Sequence, residues 1–118
     1  MEVKFVLDTS AIIAFLENEA GAETVQEILE KAESGEVDIY VSFISFMEIY
    51  YVTIQKKNKQ AASERLTGLS KLPVNRVESN ALLGKTAGEM KARHRLSLAD
   101  AWIAALASSR KDIAGKKR

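Results

Sequence analysis

Apolar positions along the chain come in short bursts of two different periods. Val3-Lys4-Phe5-Val6-Leu7 is a β-branched and apolar run that stops at Asp8-Thr9-Ser10, residues suited to ending a strand and capping a helix. The chain is therefore expected to pass from strand to helix at that point. Ala11 to Leu16 reads as a short apolar helix, broken by Asn18-Glu19-Ala20-Gly21. Val25, Ile28, Leu29 and Ala32 then recur at i, i+3, i+4 and i+7, with Glu23, Glu27, Glu30 and Glu33 filling the opposite side of an amphipathic helix. Ser34-Gly35 ends that helix, and Ile39-Tyr40-Val41 forms a second short strand. A third helix, apolar nearly all round from Phe46 to Ile54 and so expected to be buried, closes on Lys56-Lys57-Asn58-Lys59. Ala61 to Leu72 is a fourth helix ended by Pro73, and Val74-Asn75-Arg76-Val77 a third strand. Ser79 caps a helix running to about His94, and Ser97 opens a last one in which Ala101, Trp102, Ile103, Ala105 and Leu106 predict burial.

Strands alternating with helices imply crossover connections and a parallel sheet covered on both faces, that is, a three-layer α/β/α fold. In such a sheet ligands sit beyond the carboxyl ends of the strands, where strand ends meet helix starts. No internal repeat, linker or low-complexity tract divides the 118 residues, so one domain over 1–118 is expected.

Three acids lie among apolar neighbours at those junctions. Asp8 follows Phe5-Val6-Leu7, Glu48 sits in Phe46-Met47-Glu48-Ile49, and Asp100 in Leu98-Ala99-Asp100-Ala101-Trp102. Each has a plain structural explanation: Ser45-x-x-Glu48 has the capping-box pattern, Ser97-x-x-Asp100 imitates it, and Asp8 is a candidate cap. The cap reading also puts every one of these carboxylates near a helix start after a connection, so all three can converge. Converging carboxylates repel unless a cation joins them. An oxygen-only donor set favours Mg²⁺ or Mn²⁺ over zinc, and such ions support phosphodiester chemistry.

Composition removes competing chemistries. Without cysteine there is no disulfide framework, thiolate nucleophile or Cys-containing zinc site, which fits a cytoplasmic protein. The single His94 cannot build a multi-His site, and in Lys91-Ala92-Arg93-His94-Arg95 it reads as part of a solvated face. No apolar stretch reaches the roughly 18–20 residues of a membrane span. The net charge of +1 conceals an uneven distribution: residues 1–50 hold eleven Asp/Glu against two Lys, and residues 51–118 hold fifteen Lys/Arg against five Asp/Glu. Such asymmetry suits a polyanion partner or, equally, two sets of solvated helix faces. Lys56, Lys57 and Lys59, or Arg93 and Arg95, are candidates for lining a nucleic-acid path, with solvated helix ends as the simpler reading.

Taken in order, Asp8-Thr9-Ser10-Ala11-Ile12-Ile13 after an N-terminal strand, Ser45-x-x-Glu48, and Leu96-Ser97-Leu98-Ala99-Asp100-Ala101-Trp102-Ile103-Ala104-Ala105 resemble the successive signatures of PIN-domain ribonucleases. The likeness spans about residues 3–109 and is greatest to the toxin member of VapBC-type toxin–antitoxin pairs. It implies that Asp8, Glu48 and Asp100 are catalytic metal ligands for Mg²⁺ or Mn²⁺ in an endoribonuclease acting on RNA. It also implies a homodimer, and inhibition by an antitoxin protein seated in the active-site groove. Thr9, Ser10, Ser45 and Ser97 would orient carboxylates or cap helices.

The resemblance further implies an apolar strand and a fourth acid after the Asp100 helix. Here Ala107-Ser108-Ser109-Arg110 leads only to Lys111-Asp112-Ile113-Ala114-Gly115-Lys116-Lys117-Arg118, with Asp112 the only remaining acid. The sequence is thus expected to be C-terminally truncated or naturally short, leaving the Val3–Leu7 strand with an edge open to pairing. Two alternatives follow: a catalytically impaired PIN-like protein-interaction module, and a receiver-like α/β domain with Asp8 as phosphoacceptor, in which Glu48 and Asp100 have no role.

Overall fold

The computed structural model describes residues 3–110; residues 111–118, including Asp112, lie outside the described residues. Three strands and six helices alternate within them: β1 (Val3–Val6), α1 (Thr9–Leu16), α2 (Ala22–Glu33), β2 (Val37–Ser42), α3 (Phe43–Lys56), α4 (Lys59–Ser70), β3 (Asn75–Val77), α5 (Ala81–Arg93) and α6 (Leu98–Arg110). The strands form one parallel sheet in the order β1-β2-β3, with Val3 opposite Val37 and Tyr40 opposite Asn75. Among the described residues β1 is an edge strand, as expected.

Strand periodicity sorts β2 between two layers. Val37, Ile39 and Val41 enter the main core with Leu7, Ile12 of α1, Val25 and Leu29 of α2, Phe46 and Ile49 of α3, and Leu69 of α4. Ile39 and Ile49 are wholly buried, each worth about 1.5–3 kcal/mol of transfer free energy. On the other side α6 packs against β1 and β2 and is backed by α5. The α5–α6 seam is built from small residues, Ala87, Ala101 and Ala105, which bring the helices close. Trp102 fills the seam, its ring packed edge-on to Phe43 with centroids 5.0 Å apart and set against the backbone of Gly84. The result is the expected α/β/α layering.

Helix boundaries follow local chemistry. The carbonyls at the end of α1 are closed by Asn18 at φ 55°, with Glu19 N–H donating to Ala14 O at 2.8 Å. The end of α2 is closed by Gly35 at φ 84°, with Glu36 N–H donating to Lys31 O at 2.8 Å. Asn58 and Asn80 cap α4 and α5, so the residue before α5 is Asn80 rather than Ser79.

Two further expectations require correction. Helix α3 starts at Phe43 with Ser42 as its cap, so Ser45-x-x-Glu48 is not a capping box but the interior of the first two turns. Nor is α3 buried all round: Met47 (53% exposed), Tyr51 (44%) and Ile54 (36%) form an apolar stripe facing outward, while Ile44, Ser45, Phe46, Ile49 and Thr53 are buried. An apolar composition on every side reports burial only when every side meets a neighbour within the same chain.

Candidate active site

Each of the three junction acids is carried to the carboxyl edge of the sheet by a different element. Asp8 stands between β1 and α1, and its Oδ1 accepts the Ala11 N–H at 2.8 Å, making it the N-cap. Glu48 lies in the second turn of α3. Asp100 lies in the first turn of α6, where its own N–H donates to Ser97 Oγ at 3.0 Å, one half of the capping box read from the sequence.

The three acids line one cleft of about 250 Å³, together with Thr9, Ser10 and Ser97. Ile13 and Val52 supply its apolar wall, a pair no sequence motif singled out. Asp8 and Asp100 are exposed and Glu48 is half-buried, so the cleft is open to water. Leu7 and Ala101, beside Asp8 and Asp100, are buried, whereas Leu98 is exposed and the acids themselves line the cleft. Asp8 and Glu48 arrive here because β1 and β2 are parallel and end on the same side, and Asp100 arrives on α6, which packs on those two strands.

Thr9 links two of these elements. Its Oγ1 lies 2.5 Å from Glu48 Oε1 and 2.8 Å from Ser45 Oγ. A hydroxyl carries one proton and the carboxylate is the stronger acceptor, so Thr9 donates to Glu48 and meets the Ser45 hydroxyl through its lone pairs. Ser45 is fully buried on the inner face of α3, and its hydrogen bond with Thr9 satisfies the hydroxyl there.

Ile13 and Val52 also line a second, much smaller cavity, bounded by Glu17 of α1, Thr53, Lys56 and Lys57 at the end of α3, and Arg65 of α4. Arg65 Nη2 and Glu17 Oε2 are 2.6 Å apart. The hydrogen bond and charge of Arg65, reinforced by Lys57 and Lys56, hold the Glu17 carboxyl below its ordinary value of 4.5. Arg93, His94 and Arg95 are exposed, as a solvated face requires.

The donor set in the cleft is oxygen-only and suits a hard divalent ion. Among the described residues no three His, Cys, Asp or Glu side chains stand close enough to hold a metal by themselves. Mg²⁺ characteristically takes one or two carboxylates, keeps several waters and gains substrate oxygens, and an open cleft with separated acids fits that habit.

The model of the PIN domain family matches residues 5–114, and the chain belongs to that family. No curated protein sequence matches significantly. Solved structures share the fold at low identity. A toxin–antitoxin complex from Klebsiella pneumoniae is 18% identical with a TM-score of 0.64, over 93% of this chain and 81% of that one. VapC20 of Mycobacterium tuberculosis, described as a sarcin–ricin loop cleaving toxin, is 18% identical with a TM-score of 0.67, over 91% and 82%. The DNA-bound VapBC of Salmonella typhimurium is 16% identical with a TM-score of 0.69, over 93% and 82%. Among the described residues no helix is long and apolar enough to cross a membrane.

Proposed function

We propose that this protein is a Mg²⁺- or Mn²⁺-dependent endoribonuclease, the toxin component of a cytoplasmic toxin–antitoxin pair, with Asp8, Glu48 and Asp100 as its metal-binding catalytic carboxylates. The observation that carries the reading is the meeting of these three acids in one open cleft of a PIN-family chain. The described functions of the solved relatives, a toxin–antitoxin complex and an RNA-cleaving toxin among them, support its direction.

Asp8, Glu48 and Asp100 would hold the ion, one or two of them directly and the rest through its waters, and Thr9 would keep Glu48 oriented in the cleft. When bound, the ion supplies an activated water and offsets charge on the scissile phosphate and the leaving oxygen. The chain's own contribution is geometric: the Asp8 carboxylate is fixed by its bond to Ala11 N–H, and Ile13 and Val52 bound one side of the site against solvent. The outward stripe of Met47, Tyr51 and Ile54 gives the chain an apolar face for protein association, which supports a homodimer and a cognate antitoxin as partners.

The test is incubation of purified protein with structured RNA and Mn²⁺, with an EDTA arm. Defined fragments that vanish with EDTA are expected; intact RNA in both arms overturns the reading. A second reading, a catalytically impaired PIN-like interaction module, draws on the wide spacing of the acids. It predicts antitoxin binding with no fragments under any metal.

A further inference from the structure

The lining of the acidic cleft divides by polarity. Asp8, Thr9, Ser10, Glu48, Ser97 and Asp100 present oxygen atoms, whereas the side chains of Ile13 and Val52 present only hydrocarbon. Ile13 follows Thr9 by four residues on α1 and Val52 follows Glu48 by four on α3, so each stands one turn, about 6 Å, further along its helix. The hydrogen bond from Thr9 to Glu48 joins the two helices beside the acids, and Ile13 and Val52 form the next layer of the same seam. Both also line the small cavity beside the Glu17–Arg65 ion pair, so they stand between that cavity and the cleft. Each is only half-buried, while Ile12 and Thr53 next to them in sequence are enclosed. Two branched aliphatic side chains are thus left partly uncovered in the wall of an open cleft, and a bound apolar group would take that surface out of water.

We propose that Ile13 and Val52 are the base-contacting residues of this site, their wall packing against the nucleobase next to the scissile phosphate. This rests on the ribonuclease reading and adds how a nucleotide is seated among the carboxylates. The parts of a nucleotide sort onto the lining by chemistry. A phosphate meets the acids through a cation, and ribose hydroxyls find donors and acceptors in Ser10, Ser97 and the carboxylates. The nucleobase alone has a broad apolar face. Its polar atoms lie at the edge, so no hydrogen bond is lost when that face is set against hydrocarbon. Ile13 and Val52 carry no side-chain donor or acceptor with which to read the edge, so the contact requires a base without choosing among the four.

The cleaved bond is first mapped in the structured RNA of the cleavage assay, and that RNA is remade with an abasic ribose on one side of the bond or on the other. The parent protein is expected to lose about tenfold in kcat/KM on one of the two abasic RNAs, and to vary by less than about threefold when that position is changed among the four bases. Val52 is the residue to vary, because Ile13 also packs against the main core. Val52→Ala should lose about tenfold on the intact RNA and no more than about twofold on that abasic RNA, the non-additivity of two changes to one contact. Val52→Thr keeps the shape of the wall and adds a hydroxyl; it should show the same pattern with a loss of about threefold, and it serves if the alanine variant does not fold. Binding gives a second reading without the cleavage step: Asp8→Asn protein in Mn²⁺ should hold the fluorescent intact RNA about tenfold tighter than the abasic one, and Asp8→Asn/Val52→Ala should hold the two alike. Equal losses by the Val52 variants on intact and abasic RNA overturn the base contact and leave the ribonuclease reading in place, as does a parent protein indifferent to both abasic substitutions. No cleavage of any RNA by the parent protein removes that reading and the contact with it.

Discussion

Thr9 donates a hydrogen bond to Glu48 across 2.5 Å, tying the first turn of α1 to the second turn of α3. The threonine therefore acts on the cleft through the carboxylate. Thr9→Val keeps the side-chain shape and removes the hydroxyl, which frees Glu48 to leave the cleft. Cleavage is expected to fall about tenfold, with a higher Mn²⁺ requirement, and Thr9→Ser should restore both. Steady-state rates across a Mn²⁺ titration decide it.

Asp8 combines a structural and a chemical role that substitution can separate. Asparagine caps helices as well as aspartate does, so Asp8→Asn should leave unfolding within about 0.5 kcal/mol of the parent while abolishing cleavage. Asp8→Ala should lose activity and also about 1 kcal/mol of stability. Urea unfolding alongside the RNA assay distinguishes the two; full activity in folded Asp8→Asn protein would remove Asp8 from the metal site.

Glu17 makes part of the stability depend on pH. Its carboxyl is held below 4.5 in the folded state by Arg65, so the unfolded chain binds the extra proton first as acid is added. The contribution is complete above the unfolded value and is lost as pH falls through the lower, folded one. Melting temperatures recorded downward from pH 6 should show Glu17→Gln starting lower and converging on the parent in acid. Parallel curves would show that the pair adds nothing.

The α5–α6 seam depends on the absence of a side chain at Gly84, where a Cβ would come within 3.2 Å of the Trp102 ring. Gly84→Leu cannot be accommodated by a ring already set against Phe43. A loss of about 1–3 kcal/mol is expected from overpacking. Trp102 is the only tryptophan, so its emission should shift in the folded variant.

Much of this molecule is visible in its residue order, because its signals are local. Val3–Leu7 stopping at Asp8, the acidic face of α2 and the closure of helices at Asn18 and Gly35 all depend on neighbours within a turn or two. The start of α3 was not visible in that way. Ser42 and Ser45 are both plausible caps, and the choice of Ser42 depends on β2 running that far beside β3. Likewise Thr9, Ser45 and Glu48 are separated by 36 and 39 residues, and no local pattern announces that they touch. The small cavity lined by Ile13, Val52, Lys56 and Arg65 likewise needs α1, α3 and α4 in place together. The exposed stripe of Met47, Tyr51 and Ile54 is illegible for a related reason: an apolar residue type does not say which side of a helix meets the rest of the chain.

The sequence distance between Thr9 and Glu48 also bears on how the chain acquires its chemistry. Strands and helices form from short-range contacts, whereas this hydrogen bond requires a loop of 39 residues to close and two βα units to dock. During refolding, helical signal should therefore return before the cleft does. A nascent chain that has completed only its first βα unit carries Asp8 but has nowhere to bring it, so chemical competence arrives with tertiary structure and not before it.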